Sequence, residues 1–292
     1  MIPILNLHKN TGRGANMLPF TKMQSLGNDF VLIDAMRRPF QFGVESIQRL
    51  GNRRTGIGFD QLLVVEPGRD GADFSMRVFN SDGSESEQCG NGARCFAKFL
   101  LDQGLTEKNK IVVQTRSRSI GLQVEGEWQV LADMGTPIFE PCLIPFDATS
   151  KSQTYELDVN GKKIEICALS FGNPHAVLLV DNIEAAEVSQ LGPLIEKHPR
   201  FPQKTNVGFA EPTTRSRVRL RVWERGVGET LACGSGACAA TVACHVLGLI
   251  DDEVEIELPG GVATATWSGQ GSLFLSGPAA TVYEGKINID AI

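Results

Sequence analysis

A cysteine placed just before a glycine-rich turn occurs twice in this chain with its surroundings intact, and this limits the possible folds more than any other feature. "RVFNSDGSESEQCGNGARC" begins at Arg77 and "RVWERGVGETLACGSGACA" at Arg221, and Cys89 stands as far from Arg77 as Cys233 does from Arg221. Upstream, "SLGNDFVLID" and "SFGNPHAVLLVD" carry Asn28 and Asn173, and between these and the cysteines lie "GIGFDQ" and "TNVGFAE", each with a Gly-Phe pair. Downstream, Gly104 and Gly248 follow their cysteines at equal distance. Landmarks matched in one order mark an internal duplication. A repeat unit of this length is a domain and not one turn of a solenoid.

Each copy reads as short strands with a helix behind the cysteine. "DQLLVVE", "FSMRVFN", "KIVVQT" and "IGLQVEGEWQVLADM" in the first copy, and "KIEICALS", "RVRLRVWE", "EVEIELPG" and "VATATWSGQGSLFLSG" in the second, are β-rich runs broken by Gly and Pro. Ala93, Phe96, Ala97, Leu100 and Leu101 recur at helical spacing, with Gly104 as a stop. The second helix, 235–247, is apolar nearly all round, which predicts a buried position. The expected fold is mixed α/β: two pseudo-twofold-related domains, each a barrel-like, mostly antiparallel sheet around a central helix, with a cleft between them. Pro and loop residues at Met134 to Pro145 set the boundary. The expected division is a disordered or loosely docked extension at 1–16, a first domain of 17–133 with 279–292 returning as an added strand, and a second domain of 134–278.

With 292 residues the chain can bury two cores. Its net charge of -6 argues against nucleic acid and against an anionic membrane surface, both of which need clustered Lys and Arg, and favours a small-molecule partner. No apolar run reaches the roughly 18 residues of a bilayer span. The start "MIPILNLHKNTGRGAN" puts its apolar residues before its charges, the reverse of a secretory signal. The cysteines number seven, an odd count, so reduced thiols in the cytoplasm are expected and a disulfide framework is not.

Chemistry follows from where the cysteines sit. A helix N-terminus offers unpaired N–H groups and the positive end of the macrodipole, and glycines let a ligand approach the backbone. A carboxylate suits such a place, which can also lower a thiol from about 8.5 to roughly 3.5–7.5 and so supply a thiolate near neutral pH. Pseudo-twofold symmetry sets Cys89 and Cys233 opposite each other. A thiolate on one face of a carbon and a thiol on the other can invert it, which predicts a two-base racemase or epimerase. The N–H groups of Gly90, Asn91, Gly234 and Ser235 would hold the charge that develops on the substrate carboxylate.

Other readings compete. Cys95, Cys238 and Cys244 fall inside helices and read as small core residues; Cys142 and Cys167 have no counterpart in the repeat. The cysteine spacings do not match those of zinc or iron-sulfur sites, so no metal is expected, and no C-x-x-C points to disulfide exchange. A proline or hydroxyproline racemase-like enzyme would also use opposed cysteines, and an inert amino-acid-binding module would use neither.

"LGNDFVLID", "GFDQLLVVE", "FNSDGSESEQCGNGARCF", "FGNPHAV", "TNVGF" and "ERGVGETLACGSGACAA" together resemble the diaminopimelate epimerase family, from about Met17 onward. The resemblance implies an isomerase without cofactor that interconverts LL- and meso-diaminopimelate, on the route to lysine and peptidoglycan precursors, and a cytoplasmic homodimer. It implies that Cys89 and Cys233 are the catalytic pair, and that Asn28, Gln61, Asn80, Gly90, Asn91, Asn173, Asn206, Glu224, Arg225, Gly234 and Ser235 bind substrate. His175 would help to position the site. A substrate with an amino-carboxylate at each end needs a cation for the distal carboxylate and an acceptor for an ammonium, which Arg225 and Glu224 can supply. Asn80-Ser81 of one copy aligns with Glu224-Arg225 of the other, an asymmetry that suits an asymmetric substrate. One departure is Gln24-Ser25, where the family commonly has His-Gly.

Overall fold

The computed structural model describes residues 16–37, 39–86, 90–126 and 129–289. Cys89 lies outside the described residues, as do residues 1–15, the greater part of the expected extension, and 290–292. The first copy runs β1 (Met17–Ser25), β2 (Asn28–Asp34), α1 (Val44–Gly51), β3 (Gln61–Pro67), β4 (Phe74–Asn80), β5 (Glu85–Ser86), α2 (Gly90–Asp102), β6 (Lys110–Gln114), β7 (Ser119–Glu125) and β8 (Gln129–Gly135). A 3-10 turn at Pro141–Leu143 and β9 (Tyr155–Val159) lead to the second: β10 (Lys162–Ser170), β11 (Pro174–Leu179), α3 (Val188–Glu196), β12 (Asn206–Thr214), β13 (Arg217–Glu224), β14 (Gly228–Thr230), α4 (Gly234–Val246), β15 (Glu253–Leu258), β16 (Gly261–Thr266) and β17 (Leu273–Pro278). The last strand, β18 (Ala280–Asn288), returns to pair with β1, while β9 pairs with β10.

The duplication read from the sequence extends to strand register. Phe30 faces Gln61 across the parallel pair β2–β3, and His175 faces Asn206 across β11–β12. Phe74 lies beside Val113 across β4–β6 as Val218 lies beside Ile256 across β13–β15. Leu122 faces Ala132 as Ala265 faces Leu275. The equivalent strands β8 and β17 then pair with each other, Ala132 with Leu275 and Leu131 with Ser276, so one strand from each copy makes the junction, as around a twofold axis.

Burial explains why these segments fold as they do. In "FVLI" of β2, Phe30 and Leu32 face the central core with α2, whereas Val31 and Ile33 face a second cluster with Ile47 and Leu50 of α1. Strands covered on both faces read as continuous apolar runs, and a parallel pair needs a crossover helix. α1 supplies it between β2 and β3, and α3 between β11 and β12. β13 alternates instead: Val218, Leu220 and Val222 are buried, while Arg217 and Arg221 pair outside with Glu255 and Glu229.

α2 is buried from Asn91 to Leu100 and α4 from Gly236 to Cys244, each against the strands of its own copy. Both stop as predicted. Gly104 (φ 64°) and Gly248 (φ 72°) take the left-handed conformation, and Leu105 N and Leu249 N close back on Leu100 O and Cys244 O at 2.9 Å, a Schellman end in each copy. Cys95, Cys238 and Cys244 are wholly buried, in agreement with the sequence reading. Among the described residues no helix is long and apolar enough to cross a membrane.

Candidate active site

The two central helices meet start to start. A methyl group placed on Gly234 would lie 3.6 Å from the Gly90 Cα and 3.2 Å from Asn91 Oδ1; one on Gly90 would lie 2.9 Å from the Met134 methyl and 3.8 Å from the Gly234 Cα. Side chains at these positions would press on Met134 and Asn91, so the two glycines keep the junction open for close backbone approach. Two positive helix ends therefore converge on one place, which favours an anion such as a carboxylate.

Cys233 is the N-cap of α4, with extended backbone (φ -124°, ψ 109°). Its Sγ is 3.7 Å from Ser235 Oγ and would be 3.3 Å from a methyl on Gly236. At Cys233 burial and a neighbouring charge oppose the effect of the helix end. Burial first, and then the Glu224 carboxylate beside it, push the thiol well above its ordinary range, against the Gly236 N–H and the Ser235 hydroxyl. Cys233 therefore keeps its proton. Glu224 accepts a hydrogen bond from Thr230 Oγ1 at 2.6 Å. Burial raises its carboxyl too, and the Asp60 charge in the other copy adds to the rise.

The side chains around the helix starts form two chains of hydrogen bonds, one per copy. In the first, buried Arg94 donates from Nη2 to Asn91 Oδ1 (2.6 Å); Asn91 Nδ2 donates to Ala232 O of the other copy (3.1 Å) and to Asn28 Oδ1 (3.4 Å); Asn28 Nδ2 donates to Asp60 Oδ2 (2.7 Å). In the second, Asn173 Nδ2 donates to Ser235 Oγ (3.3 Å), and Asn173 Oδ1 lies 3.1 Å from His175 Nε2. Burial, and next the charge of Arg225, lower His175 to about 3. The ring is neutral, and because its partner is the amide oxygen of Asn173, Nε2 carries the hydrogen and donates.

The remaining expected residues lie on neighbouring strands. Gln61 Nε2 donates to Asn80 Oδ1 at 2.9 Å, and at the corresponding place in the second copy Asn206 Oδ1 accepts the Arg225 backbone N–H at 3.0 Å. Asn206 Nδ2 donates to Pro174 O. The Arg225 side chain is exposed, with Nη1 3.1 Å from Gln203 O. The structure thus brings Asn28, Asn91, Asn173, Glu224, Cys233, Ser235 and His175 to the meeting of the helices, and sets Gln61 and Asn206 at matching strand positions, with Asn80 beside Gln61 and Arg225 just past Glu224, the counterpart of Asn80. Sequence reasoning passed over Asp60 and Arg94, although both stand inside quoted motifs, "GFDQ" and "GARC".

His175 also makes stability depend on pH. Its pKa is about 3 in the folded chain and about 6.5 unfolded. Between these values the unfolded chain holds the extra proton, so stability is full above pH 6.5 and falls on acidification by up to about 1.4 kcal/mol per pH unit. The counterpart of His175 in the first copy is Phe30. His175→Phe should flatten the urea midpoint against pH between 6.5 and 3; an unchanged slope would assign the acid sensitivity to other groups.

A duplicated pair of α/β domains with abutting central helices defines a fold shared with known epimerases and racemases. The structure of a hydroxyproline epimerase from Agrobacterium vitis superposes with a TM-score of 0.70 at 15% identity, covering 96% of this chain and 94% of that one. A phenazine biosynthesis protein of the PhzF family from Bacillus anthracis gives 0.68 at 18% identity, with 93% and 99% covered. Sequence comparison is narrower: the family model for diaminopimelate epimerase matches residues 20–140 and 167–282, one stretch in each copy. The diaminopimelate epimerase of Ectopseudomonas mendocina is 52% identical over 275 residues, and that of Azotobacter vinelandii 53%; each match covers 94% of this chain and the whole of the relative. The chain belongs to the diaminopimelate epimerase family.

Proposed function

We propose that this isomerase epimerises LL-2,6-diaminopimelate to meso-diaminopimelate, in the supply of lysine and peptidoglycan precursors, by proton transfer between Cys89 and Cys233 without a cofactor. The observation that supports it most is the meeting of two helix N-termini at Gly90 and Gly234, with a protonated thiol, Cys233, capping one of them. For the isomer whose α-hydrogen faces Cys89, Cys233 holds the proton and Cys89 is the base. Its thiolate takes the α-hydrogen as a proton, and the electron pair of the broken C–H bond moves onto the substrate carboxylate. The N–H groups of Gly90, Asn91, Gly234 and Ser235 stabilise that charge. Cys233 then delivers its proton to the opposite face, leaving the centre inverted and the protonation of the pair exchanged. Asn28, Asn173 and Glu224 surround the reacting amino-carboxylate; Gln61, Asn80, Asn206 and Arg225 receive the distal end, and His175 positions Asn173.

The division into 17–133 with 279–292 and 134–278 belongs to the same proposal, supported by the pairing of β18 with β1. So does a cytoplasmic homodimer: β18 carries Val282 and Tyr283 largely exposed along a strand that pairs only with β1 among the described residues, a surface that a second copy would cover.

Arg225 tests the substrate assignment. Arg225→Gln should raise KM for diaminopimelate on the order of tenfold to a hundredfold, the effect of one charge-assisted hydrogen bond, with a smaller change in kcat. Steady-state kinetics decide; an unchanged KM would remove Arg225 from the distal site.

A further inference from the structure

The asparagines at corresponding positions in the two copies are turned in opposite directions. Asn173 presents its NH2 to Ser235 at the start of α4, and its carbonyl faces His175. Asn28 presents its carbonyl to Asn91 at the start of α2, and its NH2 goes to Asp60. The difference traces to the residues behind them. Where β2 has Asp29, β11 has Pro174, and the residue before Gln61 is Asp60 where the one before Asn206 is Thr205.

We infer that Asp60 is a positioning residue that fixes the Asn28 amide with its carbonyl toward the α2 N-terminus, and so makes the reacting site asymmetric. The inference rests on Asn28 and Asn91 belonging to the substrate site. Asp60 is itself held: Arg53 Nη2 bridges Asp60 Oδ1 and Asp29 Oδ1, both at 2.7 Å, and Arg53 Nη1 reaches Asp29 Oδ2 at 2.8 Å. Lys22 also binds Asp29, and the backbone N–H groups of Asp29 and Asp60 donate to each other's carboxylates at 3.1 and 3.0 Å. Asp60 Oδ2 therefore has one orientation and can only accept. From Arg94 through Asn91 and Asn28 to Asp60, every donor points the same way, and a cation at one end and a carboxylate at the other polarise the chain.

An isosteric change breaks it. In Asp60→Asn one amide oxygen must serve three donors: with its NH2 at the Oδ2 position it opposes Asn28 Nδ2 and the Asp29 backbone N–H, and with its NH2 at the Oδ1 position it opposes Arg53 Nη2 and leaves the clamp. In either orientation Asn28 loses its fixed anionic acceptor, and the polarisation of the chain toward Asn91 falls.

The test compares Asp60→Asn, Asn28→Ala and the unaltered protein by α-proton exchange of LL-diaminopimelate, with KM and kcat resolved, and by thermal unfolding. Asp60→Asn should raise KM on the order of tenfold or more while unfolding close to the parent, and the side-chain amide signal of Asn28 in a 15N spectrum should shift. Unchanged kinetics with a lowered melting temperature would overturn the inference and leave Asp60 a structural clamp. If Asn28→Ala leaves KM unchanged, the placement of Asn28 in the site fails, separately from the role of Asp60. Should Asp60→Asn not accumulate, Arg53→Gln loosens the same carboxylate from a side chain that is 57% exposed; a raised KM supports the link and an unchanged one overturns it.

Discussion

Replacing Cys233 by Ala should abolish epimerisation while leaving the chain folded, with a rate loss of about 10²–10⁴-fold, the range for removing a group that transfers a proton in the transition state. Cys233 is the buried N-cap residue of α4, and its thiol meets the helix start only through weak contacts to the Gly236 N–H and the Ser235 hydroxyl, so little of the helix depends on it. The loss should also be one-sided. The isomer whose α-hydrogen faces Cys89 should still exchange that hydrogen with solvent and regain it on the same face, because base and carboxylate site are intact. The other isomer should neither exchange nor invert. Chiral separation of the products beside deuterium incorporation reads both results. A Cys233→Ala protein that epimerises at the parent rate would remove the two-thiol mechanism.

The second large effect is expected at a glycine given no contact with substrate. Leu26 and Gly27, at φ 53° and 80°, form the turn between β1 and β2 that delivers Asn28. A turn with both central residues left-handed matches the twist of a hairpin, and a leucine there is strained. Contact with the other copy holds it. The Leu26 side chain is buried, a methyl on Gly27 would strike Leu231 at 2.8 Å, and a methyl on Gly260 would lie only 1.8 Å from Leu26 O. Gly260→Ala therefore cannot be accommodated without moving this turn. Overpacking of this kind costs about 1–3 kcal/mol or more. Because Asn28 moves with the turn, kcat/KM should fall on the order of 10²-fold if the displacement reaches about 1 Å. Thermal unfolding and kinetics on one preparation check both effects, and parent-like values in both would show that the turn is free to shift.

Much of this was legible in the chain because the duplication supplies two imperfect copies of each message. The helices behind the cysteines, their glycine stops and the strands "FSMRVFN" and "RVRLRVWE" appear where their patterns put them. The crossover helices α1 and α3 were not anticipated, although "FVLI" and "LLVV" signalled strands buried on both faces, and such a pair, if parallel, requires a helix between. Which member of the expected thiolate–thiol pair holds the proton was not legible, for a different reason. A helix start argues for a thiolate, but Glu224 reaches the thiol only because β13 and α4 pack together, and no local pattern shows that contact. Asp60 and Arg94 stayed silent because their effect passes through Asn28 and Asn91, and the direction of an amide is a property of its partners rather than of its position in the chain.

Epimerisation by two thiols is tested by the proton spectrum of LL-diaminopimelate in deuterated water with the purified, reduced protein and no added cofactor, beside an L-proline control. Loss of the α-proton signal together with appearance of the meso isomer is expected, with no exchange on proline. Exchange on proline alone, or on neither compound with the thiols shown to be reduced, would contradict this mechanism.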